Sequence, residues 1–195
     1  MKKIIASLSL SLAAITSFAA GPVVGLTYDY NRANTNAQGF NSYHQGQFNI
    51  SQDIGFGSVD GALILQRDRG ASTDSAHGFE VGYSNGLSFG QVGLKGRVAY
   101  GRLNGVDPNG GGFVGNQNYL SLGAEAAMPV TTSINGFVGY EHQKGFNTDT
   151  PAQNRFTGGV DYALNKQIAF RLGYAHTRQA GFVYNGVTTG VSYAF

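Results

Sequence analysis

The sequence has no cysteine, no tryptophan and only four prolines among its 195 residues. The missing cysteine excludes a disulfide framework, a CxxC zinc site and a thiol nucleophile. An excess of either charge sign is also absent. Lys plus Arg number 13 against 11 acidic residues, and setting Lys2 and Lys3 aside leaves 11 of each. A formally neutral chain carries no electrostatic footprint for nucleic acid. Beyond residue 20 no apolar run is long enough for a membrane-spanning helix. Any membrane structure built from that part must therefore be a closed barrel, which alone besides the helix satisfies every backbone polar group without water.

What is present begins with a charged pair, Lys2-Lys3, then an apolar and Ser-rich run from Ile4 to Ile15, then Ser17-Phe18-Ala19-Ala20. This order predicts a secretory leader over residues 1–19, cut after Ala19, and a single domain over 20–195 that starts in the periplasm. An uncleaved anchor is the alternative, disfavoured by a short, Ser-rich apolar run.

Glycine supplies 30 residues, scattered among Tyr, Val, Leu and Phe rather than gathered in a triplet repeat or a low-complexity tract. Counting alternation against turn signals predicts ten strands, near 22–32, 42–52, 57–67, 77–84, 90–102, 117–127, 132–144, 154–164, 167–178 and 185–195. Short links at Asp53–Phe56, Asn85–Ser88, Met128–Thr131 and Asn165–Lys166 alternate with longer ones at Ala33–Asn41, Asp68–Ala76, Leu103–Asn116, Gly145–Gln153 and Gln179–Tyr184. An even strand count with alternating short and long connections fits an up-and-down barrel. Eight strands is the alternative, if 77–84 and 90–102 are misassigned.

One phase of every strand is free of Asp, Glu, Lys and Arg; it reads Val24, Leu26, Tyr28, Tyr30 in the first and Val92, Leu94, Gly96, Val98, Tyr100 in the fifth. The opposite phase carries Asp29, Asp60, Glu80, Lys95, Arg97, Glu125, Glu141, Arg155, Asp161 and Arg171. Alternation alone does not separate a barrel from a soluble sandwich; the placement of aromatics does. Tyr30, Tyr100, Tyr140 and Tyr174 end upward strands, and Tyr83, Tyr162, Tyr193 and Phe195 lie near the ends of downward ones. Two such girdles are what a bilayer's interfaces select for. Past the upper girdle, Arg32, Arg67, Arg102, Lys144 and Arg178 fall on the outward phase at the loop end of all five upward strands.

The last strand, Val187–Phe195, ends on an aromatic, with Tyr193 two positions earlier and Val191 and Thr189 continuing the phase. It resembles the C-terminal signal of bacterial outer-membrane β-barrel proteins. The resemblance implies that Val191, Tyr193 and Phe195 are read by the barrel-assembly machinery, after Sec-type export to the outer membrane. It matches no particular family within that group. In that setting the five rim cations are candidates for contact with lipopolysaccharide phosphates by charge-assisted hydrogen bonds, against the plainer reading that strand ends beside polar loops tolerate cations.

No catalytic or cofactor motif survives a test of context. Gly110–Gly115 is formally G-x-G-x-x-G, but no helical period follows it, so it reads as a loop tip. His44, His77, His142 and His176 lie on different strands and form no i, i+2 pair or HExxH motif, which argues against a metal. Omptins, outer-membrane proteases, resemble the chain in strand count. Asp74, Asp149, His77 and His142 would be the candidates for such chemistry, but no paired-Asp or Asp-x-His arrangement exists. No Ser-His-acid arrangement is evident. The expectation is no enzyme, no cofactor, no nucleic acid, and a monomer in outer-membrane lipid and lipopolysaccharide.

The inward charges carry the functional expectation. Hairpin arithmetic places Asp161 opposite Arg171, Glu141 opposite Arg155, and Glu80 close to Lys95. Such residues either fill a narrow lumen with ion pairs or line a channel that filters small solutes. Inward glycines at 25, 78, 82, 93, 101, 123, 139, 159, 173 and 190 remove volume from the bore, which tips the expectation to a narrow porin-like channel for small polar solutes. A non-conducting structural or surface-interaction barrel is the alternative, and an omptin-like hydrolase ranks below both.

Overall fold

The computed structural model describes residues 21–34, 40–70, 75–105, 116–146, 152–179 and 182–195. The expected leader, Gly110–Gly115 and the loop residues Asp74 and Asp149 lie outside the described residues.

Period-two alternation produces ten strands: β1 (Val23–Ala33), β2 (Phe40–Asp53), β3 (Ser58–Gly70), β4 (Ser75–Phe89), β5 (Val92–Asn104), β6 (Gln117–Pro129), β7 (Ile134–Gly145), β8 (Gln153–Ala163), β9 (Ile168–Gln179) and β10 (Phe182–Ala194). Each is antiparallel to its neighbours in sequence. β1 also pairs with β10 from Val23↔Ala194 to Ala33↔Tyr184, closing the sheet into a barrel. Closure removes both sheet edges, so the described strands leave no terminal ladder open to another chain.

Short polar side chains make the turns at one end. Asp53 Oδ1 accepts the Gly55 N–H at 2.7 Å, and Asn165 Oδ1 accepts those of Gln167 and Ile168 at 2.8 and 2.7 Å. Thr131 Oγ1 accepts the Ile134 N–H at 3.1 Å. Each folds the chain back by satisfying backbone donors that the ladder cannot reach.

The fourth turn departs from expectation. Asn85-Gly86 reads as a link, yet Asn85–Phe89 continue β4 and pair with Val92–Gly96. The reversal occurs at Gly90-Gln91, where Gly90 has φ of 60°, a conformation that suits a tight two-residue hairpin and that side-chain-bearing residues rarely adopt. At the other end, the link expected over Gln179–Tyr184 is mostly strand, with Gln179 facing Phe182.

The two faces separate cleanly. Leu26, Leu63, Leu65, Val98, Val138, Leu172 and Tyr174 point outward and are exposed, whereas Asp29, Asp60, Lys95, Glu125, Asp161 and Arg171 are buried inside. The barrel is thus apolar without and charged within. In water such an outside would be a very large apolar patch; in a bilayer it matches its solvent. Tyr30, Tyr100, Tyr140 and Tyr174 are exposed at the loop end, and Tyr162, Tyr193 and Phe195 at the turn end. Tyr83 sits farther from its strand's end than expected, because β4 runs on to Phe89; its hydroxyl instead donates to the Phe56 carbonyl in the neighbouring turn, at 2.8 Å.

Candidate functional site

Three arginines organise the lumen. Arg171 on β9 donates through Nε and Nη2 to the Asp161 carboxylate on β8, at 2.7 and 2.9 Å. It also reaches Glu125 on β6, through Nη1 and Nη2 at 3.2 and 3.3 Å. Its guanidinium lies 3.9 Å from the centre of the Phe137 ring on β7, a cation–π contact whose worth rises when water is excluded. Arg97 on β5 grips Asp60 on β3 through Nε and Nη2, and its Nη2 lies 2.6 Å from Glu80 Oε1 on β4. Arg155 on β8 pairs with Asp29 on β1 at 2.9 Å. Arg171–Asp161 and Arg97–Glu80 join neighbouring strands, whereas Arg171–Glu125, Arg97–Asp60 and Arg155–Asp29 skip at least one, which the long stem of a guanidinium allows.

Register and ion pairing agree in some places and part in others. Asp161 and Arg171 are Cα partners and also bond. Glu141 and Arg155 are Cα partners as well, but the arginine's ion pair runs to Asp29, while Ser121 Oγ donates to Glu141 at 2.5 Å. The proximity expected for Glu80 and Lys95 is corrected. The turn at Gly90-Gln91 shifts the hairpin, so Glu80 faces Gly101 and bonds Arg97. Lys95 faces Glu125 across the β5–β6 rung and lies buried in the field of Asp60 and Glu125.

The residues that sequence reasoning missed are aromatic and point inward. Tyr119 and Phe137 are buried on the charged phase, and each faces an inward glycine across its rung: Tyr119 opposite Gly101, and Phe137 opposite Gly159. A Cβ on Gly101 would lie 2.1 Å from Tyr119 Cζ, and one on Gly82 would lie 2.8 Å from Arg97 Nη2. Gly82, Gly101 and Gly173 therefore seat large side chains of other strands, Arg97, Tyr119 and Phe137 respectively. The signal was present as a big aromatic on one strand opposite a glycine on the next.

Among these groups lies a void of about 60 Å³, lined among others by Gln45, Gln47, Gln66, Glu141, Gln143 and Arg155. The arrangement is a network of ion pairs across the lumen. Six carboxylates face four cations among the ten inward charged positions, a formal balance of −2. Among the described residues no group of three or more His, Asp or Glu can hold a metal ion.

No family model matches the chain, and no curated protein does. Solved structures match its shape. The translocator domain of autotransporter NalP from Neisseria meningitidis superposes with a TM-score of 0.56 at 11% identity, covering 91% of this chain and 90% of that one. The β domain of the Bordetella autotransporter BrkA gives 0.53 at 11% identity over 90% and 99% of the two chains. The transport unit of AIDA-I from Escherichia coli gives 0.51 at 11% identity over 96% and 94%. The chain has the fold of Gram-negative outer-membrane β-barrels.

On that fold the remaining candidates take up the loop-end rim. Arg32, Arg67, Lys144 and Arg178 are exposed there and Arg102 is half-buried, all on the outward phase. Arg102 Nε donates to Asn104 Oδ1 at 2.8 Å, and Arg178 Nε to His176 Nε2 at 3.2 Å. His44, His142 and His176 bond to Tyr28, Asn154 and Asn185 respectively, on the outer face and away from the lumen. At the turn end the Tyr193 and Phe195 rings meet edge to face at 4.8 Å, and Phe195 N–H donates to the Pro22 carbonyl at 3.2 Å.

Proposed function

We propose that the chain is an integral barrel of the Gram-negative outer membrane whose lumen is closed by its own side chains. On this reading it acts through its lipid-facing and loop surfaces and not as an open pore. Arg171 carries the reading: its side chain is 4% exposed, fixed to two carboxylates and laid on Phe137. The glutamine-lined void of about 60 Å³ beside these groups has room for about two waters, far less than a sugar needs. Outer-membrane residence is supported by the shared fold, the apolar outer face and the aromatic belts at both ends. Val191, Tyr193 and Phe195 then serve as the strand read by the assembly machinery, and a closed sheet favours a monomer.

A narrow porin-like channel for small polar solutes is the second reading. The glutamine-lined void supports it, and the acidic balance of the lumen would favour cations. Passage would require Arg171 or Arg97 to swing from its carboxylates, or the Tyr119 and Phe137 rings to leave the lumen. An omptin-like hydrolase has no support in the geometry, since His142 faces outward and bonds Asn154. Uptake of a small neutral sugar into vesicles carrying refolded protein separates the first two readings. The closed barrel predicts uptake no faster than in protein-free vesicles, and fast, saturable uptake would favour the channel.

A further inference from the structure

The outer face is not uniform. Near the loop end, Tyr28 of β1, His44 and Gly46 of β2, Leu65 and Arg67 of β3, and His77 of β4 line a groove of about 510 Å³. Cross-strand register builds it. Tyr28, Gly46, Leu65 and His77 form one row, and His44 and Arg67 stand in the row above. The pit lies over Gly46, where an added Cβ would meet nothing within 4 Å. His44 is fixed on one side, bonded to the Tyr28 hydroxyl and tilted against Tyr30 with ring centres 5.0 Å apart.

Two features of this groove point to one occupant. It presents the Arg67 guanidinium in its upper row and the His77 imidazole in the row of the pit, and no Asp or Glu lies on the outward phase of the described strands to compete. One row toward the turn end, Leu26, Phe48, Leu63 and Phe79 form an exposed apolar track continuous with the pit. A cationic head site above an apolar track fits an anion carried on an acyl chain. Guanidinium binds phosphate oxygens by paired, charge-assisted hydrogen bonds.

We propose that this groove holds one phosphorylated glycolipid of the outer leaflet, its phosphate on Arg67 and His77 and an acyl chain along Phe48 and Leu63. This rests on the outer-membrane reading given above. It singles out one of the five rim cations as the centre of a site. Arg102 and Arg178, by contrast, are tied to Asn104 and His176 on their own strands.

The test refolds the barrel into phosphatidylcholine vesicles doped with bis-phosphorylated lipid A, with its dephosphorylated form, or with phosphatidylglycerol. Lipid retained per barrel after mild detergent extraction is then weighed by mass spectrometry. Insertion is scored separately by heat-dependent gel mobility. The wild type is expected to retain lipid A over its dephosphorylated form by about tenfold, the size of one lost charge-assisted contact, with phosphatidylglycerol, whose phosphodiester offers Arg67 one such contact, in between. Arg67→Gln should lose that preference. Gly46→Leu should lose it too, by filling the pit while leaving every charge in place, and Arg178→Gln should keep it. Equal retention of the three lipids, or wild-type retention by an inserted Arg67→Gln barrel, overturns the site. Failure of the wild type to insert overturns the outer-membrane reading and the site with it.

Discussion

Arg171 and Asp161 face each other across the β8–β9 rung and are joined by two hydrogen bonds, Nε to Oδ1 at 2.7 Å and Nη2 to Oδ2 at 2.9 Å. Register and chemistry coincide here, and the same guanidinium also neutralises Glu125. Removing it strands two buried carboxylates. Arg171→Ala is expected to lower the unfolding free energy by roughly 3–5 kcal/mol, read by urea titration in vesicles. The triple variant Arg171→Met, Asp161→Asn, Glu125→Gln should recover most of that loss, because the uncompensated charges go with the cation. A triple variant as unstable as the single one would show that packing, and not charge, is what Arg171 supplies.

Arg155 separates the register partner from the ion-pair partner. Glu141 faces it on the neighbouring strand, but Asp29 holds it at 2.9 Å and is 2% exposed. Asp29→Asn should therefore cost roughly 3–5 kcal/mol as a broken buried pair. Glu141→Gln should cost below about 1 kcal/mol, as befits a half-exposed group. The same titration checks both, and the reverse order would assign the pair to the β7–β8 rung.

Strand number and the assignment of each face were legible in the sequence, because both rest on a period-two pattern that no charge interrupts over ten segments. Hairpin arithmetic succeeded where a turn was marked by its own side chain, as at Asn165, and put Asp161 opposite Arg171. It failed at Asn85-Gly86, since turn-forming residues in a strand look the same as those in a turn until Gly90 is seen to make the reversal. That displacement moved Glu80 from the neighbourhood of Lys95 to Arg97. Gly101 and Gly173 misled for a different reason. Sequence shows a missing side chain, but not whether a neighbour such as Tyr119 or Phe137 occupies the space. Long-range bridges such as Arg155 to Asp29 depend on barrel closure, which no local pattern encodes.

The assignment of faces makes a quantitative prediction at Val98, the middle of β5, which is outward and 40% exposed. Val98→Arg should destabilise the folded barrel by roughly 2–4 kcal/mol, the cost of an arginine at the bilayer midplane. The check is reversible unfolding in phosphatidylcholine vesicles. A change near zero would mean that Val98 does not meet hydrocarbon.

Phe195 should separate assembly from stability. Its ring is 63% exposed and meets Tyr193 edge to face, so Phe195→Ala should cost the folded barrel less than about 1 kcal/mol. Insertion by the barrel-assembly machinery into proteoliposomes should slow well beyond that. Losses of equal size in the two assays would make the residue simple packing.

The central claim is that the barrel's own side chains close its lumen, and planar-bilayer recording of the wild type beside a Tyr119→Ala, Phe137→Ala double variant tests it most directly. Tyr119 is buried over Gly101 and Phe137 over Gly173, so their truncation should open a path the width of the missing rings. The account predicts no discrete conductance steps from the wild type and reproducible ones from the double variant. Steady openings of the wild type, unchanged by the two substitutions, would contradict it.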